Sequence, residues 1–100
     1  MNERQIYFKN KKILIYGFGK SGAACFKFLK KNNICVIFDD NKKNILARFK
    51  KNLINIRKLS SLNFDFIVLS PGIDINKCRI SSYLRKNKSK IISELDIFEM

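Results

Sequence analysis

The sequence contains no histidine, and this absence narrows the chemistry that its own residues can perform. A histidine-based acid–base pair and a Ser-His-Asp triad are both excluded within this chain. Cysteine is also sparse, because only Cys25, Cys35 and Cys78 occur, and these three form no CxxC pair. An odd number without histidine companions favours neither a disulfide framework nor a zinc site, so we expect buried free thiols.

Long apolar runs are missing as well. No run reaches the ~18 residues that a membrane-spanning helix requires, and residues 1–5 lead into no signal-peptide core. We therefore expect a cytoplasmic chain with no membrane partner. With one proline, four glycines and 46% hydrophobic residues among 100, the composition is that of a single globular domain rather than a disordered chain.

Acidic residues are scarce, since 8 Asp and Glu stand against 21 Lys and Arg and give a formal net charge of +13. Such an excess raises nucleic acid as a partner, because lysine and arginine neutralise phosphates. The basic residues occur, however, as short pairs such as Lys30-Lys31 and Lys50-Lys51 at predicted helix ends and turns. We therefore expect no nucleic-acid partner and attribute the charge to a general compositional bias.

The sequence does contain a predicted glycine-rich turn directly after an apolar run. Gly17, Gly19 and Gly22 follow residues 12–16 with the spacing G-x-G-x-x-G. In a βα turn of this kind the first glycine permits a tight turn, the second lets backbone approach a pyrophosphate, and the third lets the helix pack on the strand. The N–H groups of the first helical turn then attract an anion.

Strand-like and helix-like segments alternate along the chain. The predicted strands are residues 12–16, 34–38, 53–56, 64–70 and 90–93, and the predicted helices are about 21–32, 42–51 and 80–84. This alternation predicts an α/β fold, namely a Rossmann-like open parallel sheet of about five strands with flanking helices.

The predicted domain covers residues 1–93. Residues 94–100 begin a further amphipathic element, and we expect its apolar side chains, Leu95, Ile97 and Phe98, to be partly uncovered. Because the sequence has no closing polar tail, we interpret this element as the start of a connection to another domain.

Three predicted strands end in polar or glycine-containing loops, which are residues 17–22, 39–41 and 70–72. The carboxyl ends of parallel strands meet at one edge of a sheet, where open α/β folds bind their ligands. Each loop also has a purely structural explanation as a packing contact, a helix cap or a turn. Their convergence favours a nucleotide, with amides for the phosphates and a carboxylate for the ribose or base.

Other chemistry is less well supported by the sequence. Gly19-Lys20-Ser21 resembles the end of an ATP-binding P-loop, but Leu14 stands where that loop requires glycine. The remaining carboxylates, which include Asp65 and Glu94, show neither the pairing nor the spacing of a catalytic or metal centre. We therefore predict no catalytic residue and no metal ligand in this chain.

Taken together, these segments resemble the N-terminal domain of the D-glutamate-adding Mur ligases. The resemblance covers about residues 8–100, and it rests on the glycine turn, the Asp39 end of the second strand and residues 92–98. Its most specific part is Ser70-Pro71-Gly72-Ile73, because the glycine turn alone is shared with dehydrogenases.

The resemblance implies a three-domain cytoplasmic enzyme of peptidoglycan synthesis. Such an ATP-dependent ligase phosphorylates the carboxylate of UDP-N-acetylmuramoyl-L-alanine, and the amine of D-glutamate then attacks the acyl phosphate. The first domain holds the uridine diphosphate part, whereas ATP, Mg²⁺ and D-glutamate bind to the other domains. A chain of these 100 residues is therefore expected to be inactive alone.

The resemblance also implies a role for each loop. The diphosphate would lie at Gly19, Lys20, Ser21 and Gly22, the uridine would face Asp39, Asp40 and Asn41, and the other wall would be Ser70, Pro71 and Gly72. The family often follows the strand-two acid with a hydroxyl residue and then a basic one, and this chain departs from that pattern. Two alternatives remain open: an NAD(P)-binding regulatory or oxidoreductase domain that uses Asp39 for a ribose, and a basic nucleic-acid module.

Overall fold

The computed structural model describes residues 9–40 and 47–98. In chain order the elements are β1 (Lys12–Tyr16), α1 (Lys20–Leu29), β2 (Ile34–Phe38), a 3-10 helix (Ala47–Asn52), α2 (Ile56–Leu59), β3 (Phe66–Leu69), α3 (Ser81–Lys86), a second 3-10 helix (Lys88–Lys90), β4 (Ile91–Ser93) and α4 (Glu94–Phe98). Of the helix predicted at 42–51, residues 42–46 lie outside the described residues. Helix α1 ends earlier than predicted, where the Asn33 side-chain amide donates to the Leu29 carbonyl over 2.9 Å.

The strands form one parallel sheet in the order β2-β1-β3-β4. Strand β1 is central, and its Ile15 lies in register with Ile37 on one side and Val68 on the other. Four of the five β1 residues are buried, as is typical of a parallel strand covered on both faces. The predicted α/β, Rossmann-like class is confirmed.

The predicted number of strands is wrong, because the described residues form four strands rather than five. The segment expected at 53–56 makes a single parallel bridge between Leu53 and Ile37, and the Ile54 N–H donates to the Ile37 carbonyl over 2.9 Å. Pairing stops there because Asn55 caps helix α2, its side-chain oxygen accepting from the Lys58 N–H over 2.9 Å. An N-cap asparagine of this kind favours a helix over a longer strand.

Side chains alternate along β1 between two cores, one on each face of the sheet. Ile13 and Ile15 enter the core beneath α1 and α4, whereas Leu14 and Tyr16 enter the core beneath α2 and α3. The core beneath α1 and α4, here called the α1 core, includes the three buried rings of Phe18, Phe26 and Phe49, with centroids 4.8 to 6.1 Å apart. Such edge-to-face rings pack favourably beyond the area that they bury.

Helix α4 packs on the domain through Ile97, for which the expectation of partial exposure is wrong, whereas the side chains of Leu95 and Phe98 lie outside what the structure describes. Ile97 is fully buried and belongs to the α1 core. No helix within residues 9–40 and 47–98 is both long and apolar enough to cross a membrane.

The three cysteines are free thiols. Cys25 and Cys35 are buried, as predicted, whereas Cys78 is only half-buried. Burial raises the pKa of the Cys25 and Cys35 thiols to about 12. These two side chains therefore behave as small apolar groups in the α1 core.

Candidate functional site

The glycine turn begins with Gly17, whose φ of +85° is a conformation that favours glycine. Its N–H donates to the Phe38 carbonyl over 3.1 Å, which ties the turn to the end of β2. A Cβ built on Gly17 would lie 2.8 Å from the Ser70 Cβ. The glycine turn therefore packs directly against the loop that follows β3, so two of the predicted loops are in contact.

The four glycines divide into two kinds. A Cβ on Gly22 would lie 2.8 Å from the Gly17 carbonyl oxygen, so close packing of α1 over its own turn requires glycine there, as it does at Gly17. A Cβ on Gly19 or Gly72 would meet no heavy atom of the described residues within 4 Å. Packing therefore explains the first pair, whereas the second pair borders open space beside the loops.

The N-terminus of α1 faces this space without a side-chain cap. Gly19 is the N-cap residue in extended conformation, and no acidic residue lies in the first turn. The Ala23 N–H makes the first intrahelical bond, to the Gly19 carbonyl over 3.0 Å. The preceding N–H groups of a helix have no intrahelical partner, and they carry partial positive charge that attracts anions.

Asp39 supports the glycine turn. Its Oδ2 atom accepts a hydrogen bond from the Phe18 N–H over 2.7 Å, a short charge-assisted contact. The family resemblance predicts that Asp39 faces a uridine, and in the structure one of its oxygens is already hydrogen-bonded to the turn. The loop after β2 is therefore joined to the loop after β1.

The side chain of Asp40 is hydrogen-bonded to a buried residue of the central strand. The Tyr16 hydroxyl donates to Asp40 Oδ2 over 2.7 Å, and the Tyr16 ring lies 5.3 Å from the Phe38 ring between centroids. Tyr16 is fully buried, whereas Asp40 is exposed. Burial of the phenol and then its contact with Asp40 raise the pKa of Tyr16 above its ordinary value, so the hydroxyl remains a donor.

The loop after β3 forms a tight turn. The Ser70 N–H continues the sheet by donating to the Tyr16 carbonyl over 3.0 Å, and the Ile73 N–H closes the turn on the Ser70 carbonyl over 3.0 Å. Pro71 and Gly72 lie at the exposed tip. The three predicted loops are thus connected by contacts, although Asn41 and the side chains of Lys20 and Ser21 lie outside what the structure describes.

Two residues that hold the carboxylates of this site are not among those that the sequence predicts. Tyr16 and Phe18 were assigned to the strand and the turn, yet a phenol holds Asp40 and a backbone amide holds Asp39. A tyrosine at the end of an otherwise aliphatic buried strand was the available signal, because a buried phenol normally finds a hydrogen-bond partner.

Nothing in the described part of the chain indicates a metal centre. Residues 9–40 and 47–98 contain no group of three or more His, Cys, Asp or Glu that could hold a metal ion. The chemistry that the described arrangement offers is that of backbone amides at the start of α1 and of the two carboxylates Asp39 and Asp40 beside them.

Comparison with known proteins gives a consistent result. The family described as Mur ligase MurD-like, N-terminal domain, matches residues 11–93. A protein of Buchnera aphidicola named UDP-N-acetylmuramoylalanine–D-glutamate ligase is 38% identical over 94 residues, which cover 88% of this chain and 21% of that protein. Proteins of the same name from Rickettsia bellii and Elusimicrobium minutum are 32% and 34% identical, with 90% of this chain and 21% of theirs covered.

The chain thus spans about a fifth of the length of these curated relatives, since 21% of each is covered. No solved structure matches the chain significantly.

Proposed function

Because this chain belongs to the family of Mur ligase MurD-like N-terminal domains, we propose that it binds the uridine diphosphate part of UDP-N-acetylmuramoyl-L-alanine. The substrate is taken from the name shared by the relatives. The whole ligase would join D-glutamate to this substrate during peptidoglycan synthesis in the cytoplasm.

The open space beside Gly19 and Gly72 is the observation that carries this proposal. Neither glycine has a positive φ, and neither has a close neighbour among residues 9–40 and 47–98 that would require glycine. A ligand that lies against the backbone at both positions provides a reason for glycine, because a side chain would occupy the ligand's place. The uncapped N-terminus of α1 lies beside Gly19 and suits a diphosphate.

The proposed contacts follow from this placement. The diphosphate would accept hydrogen bonds from the backbone at Gly19–Gly22, with the Lys20 and Ser21 side chains beside it. The uridine would face Asp39, Asp40 and Asn41, with Ser70, Pro71 and Gly72 as the opposite wall. Because Phe18 already occupies one oxygen of Asp39 and Tyr16 one oxygen of Asp40, the two carboxylates would meet the nucleoside in fixed orientations.

ATP and Mg²⁺ do not fit the described residues. Leu14 stands at the position where an ATP-binding P-loop requires glycine, and residues 9–40 and 47–98 offer no metal-binding cluster. We therefore propose that ATP, Mg²⁺ and D-glutamate bind to regions of the ligase that this chain does not include.

The contribution of this chain to the reaction is binding and orientation. In the proposed reaction the substrate carboxylate is phosphorylated, and the amine of D-glutamate displaces phosphate from the acyl phosphate. Holding the remote diphosphate fixes the substrate so that its carboxylate reacts as part of one complex, which removes much of the entropic barrier. The chain alone should bind the substrate and form no product.

A thermal-shift comparison of ligands tests this proposal. A ligand at 100 times its Kd stabilises the folded state by about 2.7 kcal/mol, which raises the melting temperature of a 100-residue domain by roughly 10 °C or more. UDP-N-acetylmuramoyl-L-alanine and UDP should both produce such a shift, and NADH should not. Stabilisation by NADH but not by UDP would instead support a dinucleotide-binding domain.

A further inference from the structure

A separate cleft of about 460 Å³ lies between α1, the start of β2 and the first 3-10 helix. Its lining includes Ile34, the first residue of β2, and Lys30, which directly follows α1. These residues mark the amino ends of the strands, whereas the glycine turn lies at the carboxyl ends. The volume falls within the range of small-molecule sites, so the cleft is large enough for a ligand of its own.

The floor of the cleft is apolar. Phe26 and Phe49 are each only 4% exposed, and their rings pack edge to face with centroids 5.5 Å apart. Ile34 lies at the mouth with 63% of its surface exposed. An isoleucine this exposed beside an aromatic floor offers uncovered apolar area to a ligand.

The rim of the cleft is cationic. Lys27, Lys30 and Lys51 line it and are exposed, and no carboxylate belongs to the part of the lining that residues 9–40 and 47–98 form. The Lys30 ammonium lies 5.8 Å from the centroid of the Phe26 ring, which places one charge directly above the floor. The favourable position of lysine near a helix C-terminus accounts for Lys27 in α1 and Lys30 directly after it, but Lys51 approaches the same space from the first 3-10 helix.

We propose that this cleft binds a small organic anion with an apolar body. The carboxylate, sulfonate or phosphate of this ligand lies among the three lysines, and its ring or branched chain covers Ile34 above the phenylalanine floor. Charge complementarity supports an anion, because the three lysine charges repel one another and no carboxylate among the described lining residues offsets them. None of residues 17–22, 39–40 and 70–72 lines the cleft, so the inference does not depend on the proposed function.

Two dyes that share one apolar body provide the test. 8-Anilino-1-naphthalenesulfonate carries a sulfonate, and N-phenyl-1-naphthylamine is its uncharged counterpart. Fluorescence titration of the chain should give a Kd at least about fivefold lower for the sulfonate, since charge pairs at an exposed rim are individually modest. The double variant Lys30→Gln/Lys51→Gln should remove this preference and leave binding of the neutral dye unchanged.

A matched control uses two lysines that are exposed and lie outside the cleft. The variant Lys58→Gln/Lys88→Gln removes the same charge and should retain the preference for the sulfonate within about twofold. An equal loss in both double variants would overturn the proposal, because net charge alone would then explain the binding. So would equal affinity of the wild-type chain for the two dyes.

Amide chemical shifts locate the bound dye independently of any variant. Adding the sulfonate dye to ¹⁵N-labelled chain should perturb the amides of Lys27, Ile34 and Lys51, and saturating UDP should not displace it. Perturbation confined to residues 17–22, or displacement by UDP, would contradict a second site. The changes at Lys27, Ile34 and Lys51 are recorded without UDP, so their absence would be distinct from failure of the proposed function.

Discussion

Tyr16 and Asp40 are joined by a 2.7 Å hydrogen bond that links the interior of the sheet to its carboxyl edge. The phenol belongs to the central strand and is fully buried, whereas the carboxylate that it holds is exposed. The preceding residue, Asp39, accepts a hydrogen bond from the Phe18 amide. The two adjacent acids are therefore oriented by different partners, and substitutions at each should have different effects.

Replacing Tyr16 by phenylalanine tests the link between the interior and the edge. The Tyr16→Phe variant loses a hydrogen bond to a charged group, which contributes about 1.5–3 kcal/mol in general, and the exposure of Asp40 puts the expected loss near the lower value. Urea unfolding measures it. UDP should bind this variant more weakly because Asp40 is no longer oriented. Wild-type stability and affinity would show that the bond has no role in solution.

Asp39 should be more important for the shape of the turn than for contact with the base. The Asp39→Asn variant retains an oxygen acceptor for the Phe18 N–H and should lose about 1 kcal/mol, whereas Asp39→Ala removes the acceptor and should lose about 1–3 kcal/mol. Urea unfolding of both variants gives the comparison. Equal stability of the alanine variant and the wild type would contradict a stabilising role for the hydrogen bond between the Phe18 N–H and Asp39.

The glycines should separate into structural and ligand-facing positions. Gly22→Ala places a Cβ 2.8 Å from the Gly17 carbonyl oxygen and should destabilise the fold by about 1–3 kcal/mol, even though alanine favours helix. Gly19→Ala should lower stability by less than about 1 kcal/mol, as a poorer N-cap, yet should strongly reduce UDP binding. Calorimetric titration after a stability check distinguishes the two. Full UDP affinity in Gly19→Ala would contradict the proposal that the ligand occupies the open space beside Gly19.

Alkaline pH should destabilise the fold through the buried thiols. The pKa of Cys25 and Cys35 rises from 9.0 to about 12 on burial, so the folded state keeps protons that the unfolded chain releases. This contribution to the free energy of unfolding is fully present below pH 9 and is lost as pH rises toward 12. Urea midpoints measured from pH 8 to 10.5 should fall, and a Cys25→Ala/Cys35→Ala variant should show a shallower fall.

Thiol labelling at pH 8 provides a second measurement of the same burial. Native chain should react rapidly at Cys78 alone, and denaturant should expose Cys25 and Cys35 as well. Rapid labelling of Cys35 in the native state would contradict the buried α1 core.

Local pattern was sufficient to predict the strands that carry the site. Strands β1 and β2 have the predicted bounds, Lys12–Tyr16 and Ile34–Phe38, because each is an uninterrupted run of side chains that can be buried on both faces. The strand predicted at 53–56 failed because the Asn55 cap ends it after one bridge. Burial of Ile97 depends on how α4 packs against α1, a tertiary contact that amphipathic pattern alone does not fix.

The candidate site was predictable in outline but not in its contacts. Glycine spacing indicated the turn, and strand ends indicated which loops would converge. The bonds from Tyr16 to Asp40 and from Phe18 to Asp39 join residues 24 and 21 positions apart. They form only because β1 and β2 pair in one particular register, and local sequence pattern does not predict that register.

Amide chemical-shift mapping with UDP tests the central claim most directly. When UDP is added to the ¹⁵N-labelled chain, the largest changes should fall in residues 17–22, 39–40 and 70–72, which form one edge of the sheet, and they should disappear in Gly19→Ala. Saturable binding that perturbs these three loops together is the predicted result. Changes confined to any other face, or no binding at millimolar UDP, would contradict a uridine diphosphate site at the glycine turn.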